Sequence, residues 1–195
     1  MSKPLYDENS SVTILDDGDF IGSSGNYKIT KMNVGMGDGA DTGDGNTYIG
    51  ADAGSGTGAG AGADLGPKSD GAGFLKVYAP WCPHCQNKVV CMNRLGDVLS
   101  AFGLTVYVLD ADANPEAART LGVTGYPSFF HVGKDGTVGG MLRTPEGQPV
   151  GQVYEIIAAL CNNDKRICKY INDNKDKLKG CDYEKPPSKM TYTEI

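Results

Sequence analysis

The sequence predicts an α/β fold in which a mixed central β-sheet is flanked by helices on both faces. From residue 74 onward, β-rich runs alternate with runs whose apolar residues recur at helical spacing. The resulting order is strand, helix, strand, short helix, strand, hairpin, strand, helix. The hairpin is marked by the turn signal Lys-Asp-Gly at 134–136. A βαβ unit followed by a ββα unit produces both parallel and antiparallel strand pairs.

Each element is predicted from a local pattern. The segment 11–20 is expected to form a short strand at 12–15 followed by an acidic turn. Further strands are expected at 27–34, 74–78, 104–109, 128–132 and 137–141. Helices are expected at 82–102, 114–122, 150–160 and 164–178. The helix at 114–122 has a capping residue, Asn114, and a proline at its first position. Gly96 is expected to break or kink the helix at 82–102, because glycine disfavours a helix interior.

Glycine divides the chain into parts. It contributes 28 of the 195 residues, and half of these lie between 35 and 73. We therefore expect an N-terminal strand segment at 1–34, a Gly-rich acidic insert at 35–73, an α/β domain at 74–160, and a C-terminal helix with an extended tail at 161–195. The insert has too few apolar side chains to offset the entropy of ordering it, which predicts a flexible tether. Its acidic residues do not have the spacing of a calcium-binding loop.

Composition excludes some partners. The net charge of −6 comes without a basic patch, so nucleic acid is not predicted as a partner. No stretch approaches the ~18 consecutive apolar residues of a membrane helix, so no membrane association is predicted. The first residues lack the apolar run of a secretory signal, which predicts a cytoplasmic location. In such a reducing compartment the six cysteines are expected to be catalytic, metal-binding or buried rather than cross-linked.

The chemistry is predicted from Cys82 and Cys85, which are three residues apart where a strand becomes a helix. Cysteines at this spacing can form a disulfide with little backbone movement. The unpaired N–H groups and the dipole of the helix N-terminus favour a thiolate at Cys82, which is the nucleophilic form. Pro83 suits the first helical turn, and His84 further stabilises the thiolate. A stabilised thiolate favours the reduced pair, which makes the disulfide a better oxidant.

The remaining cysteines leave alternatives open. The Cys82–Cys85 pair could be half of a zinc site, but Cys161, Cys168 and Cys181 do not supply a second pair at zinc-ribbon spacing. Metal is therefore not predicted, and no dissociable cofactor is needed, because the redox-active disulfide Cys82–Cys85 carries the electrons.

Cys91 is expected to be a small buried apolar residue. A C-terminal disulfide is an open alternative. Cys161 and Cys168 are too far apart on a straight helix, although a break near 162–163 could bring them together. Cys181 is another possible partner, and the pairing of the three is left open.

Two motifs resemble the thioredoxin superfamily. The segment Tyr-Ala-Pro-Trp-Cys-Pro-His-Cys at 78–85 is similar to the active-site segment of protein disulfide isomerase domains and thioredoxins. Val-Thr-Gly-Tyr-Pro at 123–127 resembles the family's second signature. The resemblance covers 74–160 well and 11–22 loosely. It implies a thioredoxin-like fold in which Pro127 is cis beside the reactive pair, and in which the backbone of Tyr126 is free to pair with an extended substrate.

The sequence departs from the family in three places, and at a further position, Arg143, it matches the family loosely. Pro83-His84 between the cysteines resembles the strongly oxidising bacterial periplasmic dithiol oxidases. Lys76 stands where the family has a buried acid that accepts the proton of the second cysteine. This lysine could stabilise a thiolate as a cation or accept a proton as a neutral amine. Arg143 follows the last strand, where isomerase domains place an arginine that tunes the second cysteine. The Gly-rich insert replaces the family's first helix.

The resemblance implies a thiol–disulfide oxidoreductase or isomerase that acts on protein thiols and disulfides and is biased towards oxidation or isomerisation. Cys82 would form a mixed disulfide with the substrate and Cys85 would resolve it, with Trp81 as a neighbouring tuning residue. The alternative is a structural or assembly component on the same scaffold, for example in a virus particle. A large assembly would then order the Gly-rich insert, and the chain would be packaged in a virion.

Overall fold

The computed structural model describes residues 3–23, 25–31, 71–144 and 146–181. The Gly-rich insert, except for its last three residues, and the tail after Cys181 lie outside the described residues. The predictions of a flexible tether and of an extended tail therefore stay predictions.

The described residues form one mixed β-sheet of seven strands. Its strands are β1 (Thr13–Leu15), β2 (Phe20–Ser23), β3 (Asn26–Ile29), β4 (Gly73–Tyr78), β5 (Thr105–Asp110), β6 (Ser128–Val132) and β7 (Thr137–Met141). Their order across the sheet is β1-β5-β4-β6-β7-β3-β2. The central strand β4 pairs in parallel with β5 and antiparallel with β6. The N-terminal residues supply both edges, because β1 pairs with β5 and the β2–β3 hairpin pairs with β7.

Helices cover both faces of this sheet, as predicted. They are α1 (Pro83–Gln86), α2 (Val89–Phe102), α3 (Pro115–Thr120), α4 (Val153–Asn163) and α5 (Lys165–Asp173), with 3-10 turns at Asp17–Asp19 and Lys175–Leu178. α2, α4 and α5 bury their apolar residues in one core, and α3 contributes to the core on the other face. In the stretches of chain described above, none of the helices has the length and the apolar composition needed to cross a lipid bilayer.

No α-helix lies between β1 and β4 in the part of this connection that the structure describes, residues 16–23, 25–31 and 71–72. The 3-10 turn at Asp17–Asp19 follows β1 instead. The carboxylate of Asp17 accepts from the backbone N–H of Ala117 at 2.8 Å, and its own N–H donates to Asn114 Oδ1 at 2.9 Å. This turn therefore caps α3, the helix on the more thinly covered face of the sheet.

The long helix predicted at 82–102 is two helices, which corrects the prediction. α1 ends at Gln86 and α2 begins at Val89. In a continuous helix the carbonyl of Cys85 would accept from the N–H of residue 89. Here it accepts from the N–H of Lys88 at 3.3 Å and from the Nζ of Lys76 at 3.2 Å. A buried side chain from β4 thus competes for the helical hydrogen bond.

The break expected at Gly96 is wrong, because α2 continues through this residue. A Cβ atom at position 96 would lie 2.0 Å from the carbonyl oxygen of Ser11. Glycine is therefore required by the close approach of the N-terminal segment to α2, and not by a bend of the helix.

We expect Gly96→Ala to lower the free energy of unfolding by roughly 1–3 kcal/mol, the usual range for overpacking a filled site. On an open helix surface the same change would stabilise by about 1 kcal/mol. Urea unfolding followed by circular dichroism measures the difference. Gly140→Ala in strand β7 is the control for adding a Cβ at an open site, since a Cβ there meets nothing within 4 Å. A stabilised Gly96→Ala variant would contradict the proposed packing.

Two disulfides lie outside the Cys82–Cys85 pair. Cys91 is bonded to Cys181, with 5.6 Å between their Cα atoms, so its expected role as a buried free residue is wrong. Cys161 is bonded to Cys168 across 5.1 Å. The chain leaves the helical path at Asp164, which is extended and caps α5 by accepting from the N–H of Arg166. The expectation that the six cysteines are not cross-linked is wrong for these four.

Candidate active site

The candidate active site lies where β4 ends and α1 begins. Cys82 is the N-cap of α1, and Pro83 occupies its first turn. The carbonyl of Cys82 accepts from the N–H groups of Cys85 and Gln86, each at 3.0 Å. Gln86 Nε2 donates to the carbonyl of Pro80 at 2.7 Å, which fixes the loop before the first cysteine. The predicted position of Cys82 at a helix N-terminus is confirmed.

The two cysteines are free thiols with different access to solvent. Cys82 keeps 5% of its surface exposed, whereas Cys85 is fully buried. Burial raises the pKa of Cys85 to about 12, and a hydrogen bond with the Cys82 side chain adds to the effect. The backbone of Ala79 and the charge of Lys76 act in the opposite direction. Cys82 is thus the cysteine that a substrate can reach, and Cys85 is the inner partner.

The second motif is adjacent to the first in space. The peptide bond between Tyr126 and Pro127 is cis, as the resemblance implied. The Cys82 thiol lies 3.6 Å from the carbonyl oxygen of Tyr126 and donates to it. The backbone before Pro127 therefore lies beside the reactive sulfur, where an extended substrate could add its own hydrogen bonds.

Trp81 forms an apolar rim next to Cys82. It is 59% exposed, and its ring packs edge-on against Tyr126 with 5.9 Å between the ring centroids. Its indole Nε1 donates to Asp112 Oδ1 at 3.3 Å. Asp112 follows β5 and was not among the site residues that the sequence predicted. A large exposed apolar surface beside a reactive group is typical of a contact surface for another molecule.

Lys76 is fully buried behind the pair. Its Nζ donates to the hydroxyl of Tyr6 at 2.7 Å and to the carbonyl of Cys85 at 3.2 Å. It also lies 5.1 Å from the ring centroid of Tyr6 and 5.7 Å from that of Tyr78. Burial lowers the pKa of Lys76 to about 8, although the charge of Cys85 acts to raise it.

Tyr6 belongs to the site and was missed by the sequence analysis. It comes from the N-terminal segment, is 4% exposed, and packs edge-on against Tyr78 at 5.3 Å between the ring centroids. Burial raises the pKa of its phenol far above the ordinary value. The adjacent apolar residues Leu5-Tyr6 in a polar segment are the signal that could have indicated an anchored strand of chain.

Other charged residues divide between the site and the surface. Lys88 is nearly buried, and its Nζ donates to Gln152 Oε1 at 2.9 Å, while its charge lowers the pKa of Lys76. His84 is exposed on α1. Arg143 is also exposed, and its Nη1 donates to the carbonyl of Gly147 at 2.8 Å. The interactions described for the cysteine pair do not include Arg143, so the structure leaves it outside the site.

Groups of three or more His, Cys, Asp or Glu side chains that could hold a metal ion do not occur among residues 3–23, 25–31, 71–144 and 146–181.

Comparison with known proteins identifies the same region. Residues 67–148 match the family model of thioredoxin. The chain is 38% identical over 61 residues to protein disulfide isomerase-like 2-3 of Oryza sativa subsp. japonica. These 61 residues are 31% of this chain and 14% of that protein. It is 33% identical over 61 residues to protein disulfide-isomerase 2-3 of Arabidopsis thaliana, and the match is again 31% of this chain and 14% of that protein. The chain thus spans about a seventh of the length of these curated relatives.

The solved structures that are similar to this chain include the oxidised mitochondrial thioredoxin 3 of Saccharomyces cerevisiae. It is 28% identical to this chain and has a TM-score of 0.30. The match covers 36% of this chain and 63% of that thioredoxin. The thioredoxin of Malassezia sympodialis is 18% identical to this chain and has a TM-score of 0.32. The match covers 40% of this chain and 67% of that thioredoxin. Neither the family match nor the curated relatives support the alternative of a component of a virus particle.

Proposed function

We propose that this chain, whose residues 67–148 match the family model of thioredoxin, exchanges disulfides with protein thiols and is biased towards oxidising them. The observation that carries the proposal is the Cys82–Cys85 dithiol, with Cys82 at the start of α1 and 3.6 Å from the Tyr126 carbonyl. This arrangement supports a reaction at Cys82 and a second, internal step at Cys85. The Cys82–Cys85 disulfide carries the electrons, and no dissociable cofactor is part of the proposal.

The reaction begins with the Cys82–Cys85 disulfide. A substrate thiolate attacks Cys82 Sγ, the bond between the two cysteines breaks, and Cys85 leaves with the electron pair. A second substrate thiolate then attacks the substrate sulfur of the mixed disulfide. The substrate becomes a disulfide, Cys82 is released as a thiolate, and two electrons remain on the dithiol. A protein or small-molecule disulfide must re-oxidise the pair.

The bias towards oxidation is supported by the charges around the pair. Lys76 is in contact with the Cys85 backbone, and its charge partly offsets the burial that raises the pKa of Cys85. His84 lies between the cysteines and adds a second hydrogen-bond donor for a thiolate. Groups that stabilise the reduced, ionised pair make the disulfide a stronger oxidant. Lys76 and His84 therefore favour transfer of the disulfide to the substrate.

An extended protein segment is the substrate we propose. Trp81 offers exposed apolar surface beside Cys82, and the backbone at Tyr126 lies along the approach to the sulfur. Backbone hydrogen bonds from an added strand are largely independent of side chains, so such a site accepts many sequences. Isomerisation would use the same mixed disulfide, with a different thiol of the client attacking it.

We propose that the chain works in oxidising surroundings. The disulfides Cys91–Cys181 and Cys161–Cys168 lie outside the reactive pair, and structural disulfides persist where thiols are not kept reduced. A cytoplasmic location stays a prediction that these two bonds do not favour. A secretory compartment or the outside of a cell would supply the required conditions.

The reduction potential of the pair tests the proposal. We expect a value between about −120 and −180 mV in glutathione buffers, the range of disulfide donors, and not the value of about −270 mV of a reductant. The double variant Cys82→Ala/Cys85→Ala is the matched control, because it retains the other four cysteines. A value near that of a reductant would contradict the bias. A redox response that is the same in the double variant would contradict the exchange itself.

A further inference from the structure

We propose that Trp81 and Asp112 form a subsite for a cationic side chain, an arginine or a lysine next to the reacting cysteine of the client protein. The inference rests on the proposed function, because it names the class of client that the same cysteine pair would select. It assigns a role to an exposed carboxylate that disulfide exchange does not itself use. The subsite lies on the apolar rim beside Cys82.

The indole ring of Trp81 supplies the aromatic part of the subsite. The residue is 59% exposed, so at least one face of its ring is open to solvent. The ring of Tyr126 packs against it at 87° between the ring planes, and the carbonyl of Tyr126 lies 3.6 Å from Cys82 Sγ. A side chain that neighbours a client cysteine is therefore within reach of the indole while that cysteine reacts. A cation over the face of an indole is attracted by the quadrupole of the ring.

Asp112 places a negative charge at the edge of this ring. Its Oδ1 accepts from the indole Nε1 at 3.3 Å, and the residue is exposed. A carboxylate has about four acceptor positions, so the indole occupies only a part of its capacity. Within the stretches of chain that the structure describes, none of the ion pairs involves Asp112. Its charge is therefore available to a cationic side chain of a client.

The turn that carries Asp112 is held by the end of β5. Asp110 Oδ1 accepts from the backbone N–H of Asp112 at 3.0 Å and from that of Ala113 at 3.4 Å. The carbonyl of Asp110 accepts from the N–H of Asn114 at 2.9 Å and from its Nδ2 at 3.0 Å. The Asp112 carboxylate is thus presented from a fixed backbone, and a cation that binds it does not have to order a loop.

The charge of Asp112 also acts on Tyr126, whose backbone borders Cys82. Burial raises the pKa of the Tyr126 phenol, and the charges of Asp112 and Asp110 add to this effect. An aromatic face and a carboxylate side by side are the two groups that a guanidinium binds, by stacking and by hydrogen bonds. The subsite therefore favours clients with a basic residue beside the cysteine and disfavours clients with an acidic one.

The test follows the reduction of the oxidised protein by three short peptides. In each blocked peptide, the two residues that flank a single cysteine are both arginine, both glutamine or both glutamate. The chain has a single tryptophan, Trp81, next to Cys82, so its fluorescence reports the opening of the Cys82–Cys85 disulfide. The peptides differ in thiol acidity. Each rate is therefore compared between the wild type and a variant for the same peptide, which removes this difference.

Asp112→Asn removes the charge and keeps an oxygen that can accept from the indole. We expect the rate with the arginine peptide to fall about fivefold at low salt, the combined effect of an exposed ion pair and a cation–π contact. The rate with the glutamine peptide should be unchanged, and the rate with the glutamate peptide should rise. In about 1 M salt, where the Debye length is about 3 Å, the difference between wild type and variant should largely disappear.

Asp97→Asn is the matched control, because it removes the same charge from an exposed position on α2. Its rates should equal those of the wild type for all three peptides. An equal effect of the two variants would contradict the subsite, since the net charge alone would then steer the peptides. A change by the same factor for all three peptides in Asp112→Asn would also overturn it, because Asp112 would then act only by placing Trp81.

A fourth peptide, with lysine on both sides of the cysteine, tests the contribution of the ring. A guanidinium stacks on an aromatic face, whereas an ammonium is a compact point charge. We expect the wild type to react about twofold faster with the arginine peptide than with the lysine peptide. Equal rates would contradict a role of the Trp81 ring in the subsite.

Failure of the proposed function has a different result. The glutamine peptide would then not open the disulfide of the wild type, and the double variant Cys82→Ala/Cys85→Ala would show the same fluorescence as the wild type throughout. Opening by all of the peptides without any dependence on the charge at position 112 would overturn the subsite alone.

Discussion

Cys82→Ala is expected to reduce disulfide exchange to the background rate, whereas Cys85→Ala is expected to trap the client protein. Cys82 keeps some exposed surface and contacts the Tyr126 carbonyl, while Cys85 is fully buried. A Cys82 thiolate can attack a client disulfide without Cys85, and the client sulfur then leaves as a thiolate. The mixed disulfide lasts because the inner thiol that would resolve it is missing.

Trapping can be measured by incubating each variant with an oxidised client and separating the products on a non-reducing gel. We expect a covalent complex at close to one client per chain for Cys85→Ala and none for Cys82→Ala. Each single variant is the other's control, since both retain the four cysteines of the other disulfides. Equal trapping by both variants would place the reaction at a different cysteine.

Removal of the Cys91–Cys181 disulfide is expected to have the largest effect on stability. The bond closes a segment with a sequence separation of 90. In the chain-entropy treatment, a loop of this length restricts the unfolded state by about 4–5 kcal/mol. The variant Cys91→Ala/Cys181→Ala should lose about that much free energy of unfolding, which chemical denaturation measures.

Cys161→Ala/Cys168→Ala is the matched control, because its bond has a sequence separation of only 7. The same treatment gives about 2 kcal/mol for this loop. The ratio of the two losses therefore tests whether stabilisation follows loop length. Equal losses would contradict the entropic argument and would indicate that packing around the four sulfurs dominates.

Much of the fold was predictable because it is encoded in short segments. The alternation of β-rich and helical runs predicted β4, β5, β6, β7, α3 and α4. The two motifs predicted that the cysteine pair and the cis proline would meet, although 44 residues separate Cys82 from Tyr126. Such features are recognisable because a helix start and a tight turn each need particular residue types at fixed spacing.

The missed features depend on contacts between distant residues. At the break between α1 and α2, Lys76 of β4 donates to the Cys85 carbonyl, and the helical pattern from Val89 onward gives no sign of this contact. Tyr6 is 70 residues from its partner Lys76. The partner of Cys91 is likewise 90 residues away. Local periodicity cannot reveal which of several cysteines, or which buried tyrosine, completes such a pair.

The place of Tyr6 has a practical consequence for anyone who shortens this protein. A chain trimmed to start at Thr13 would retain every strand of the described sheet. It would nevertheless have lost Tyr6, whose hydroxyl and ring contact the Nζ of Lys76. Water could then approach Lys76 behind Cys85. With less burial the pKa of Lys76 would rise towards that of an ordinary lysine, so the shortened protein and its parent would differ as oxidants although their folds superimpose.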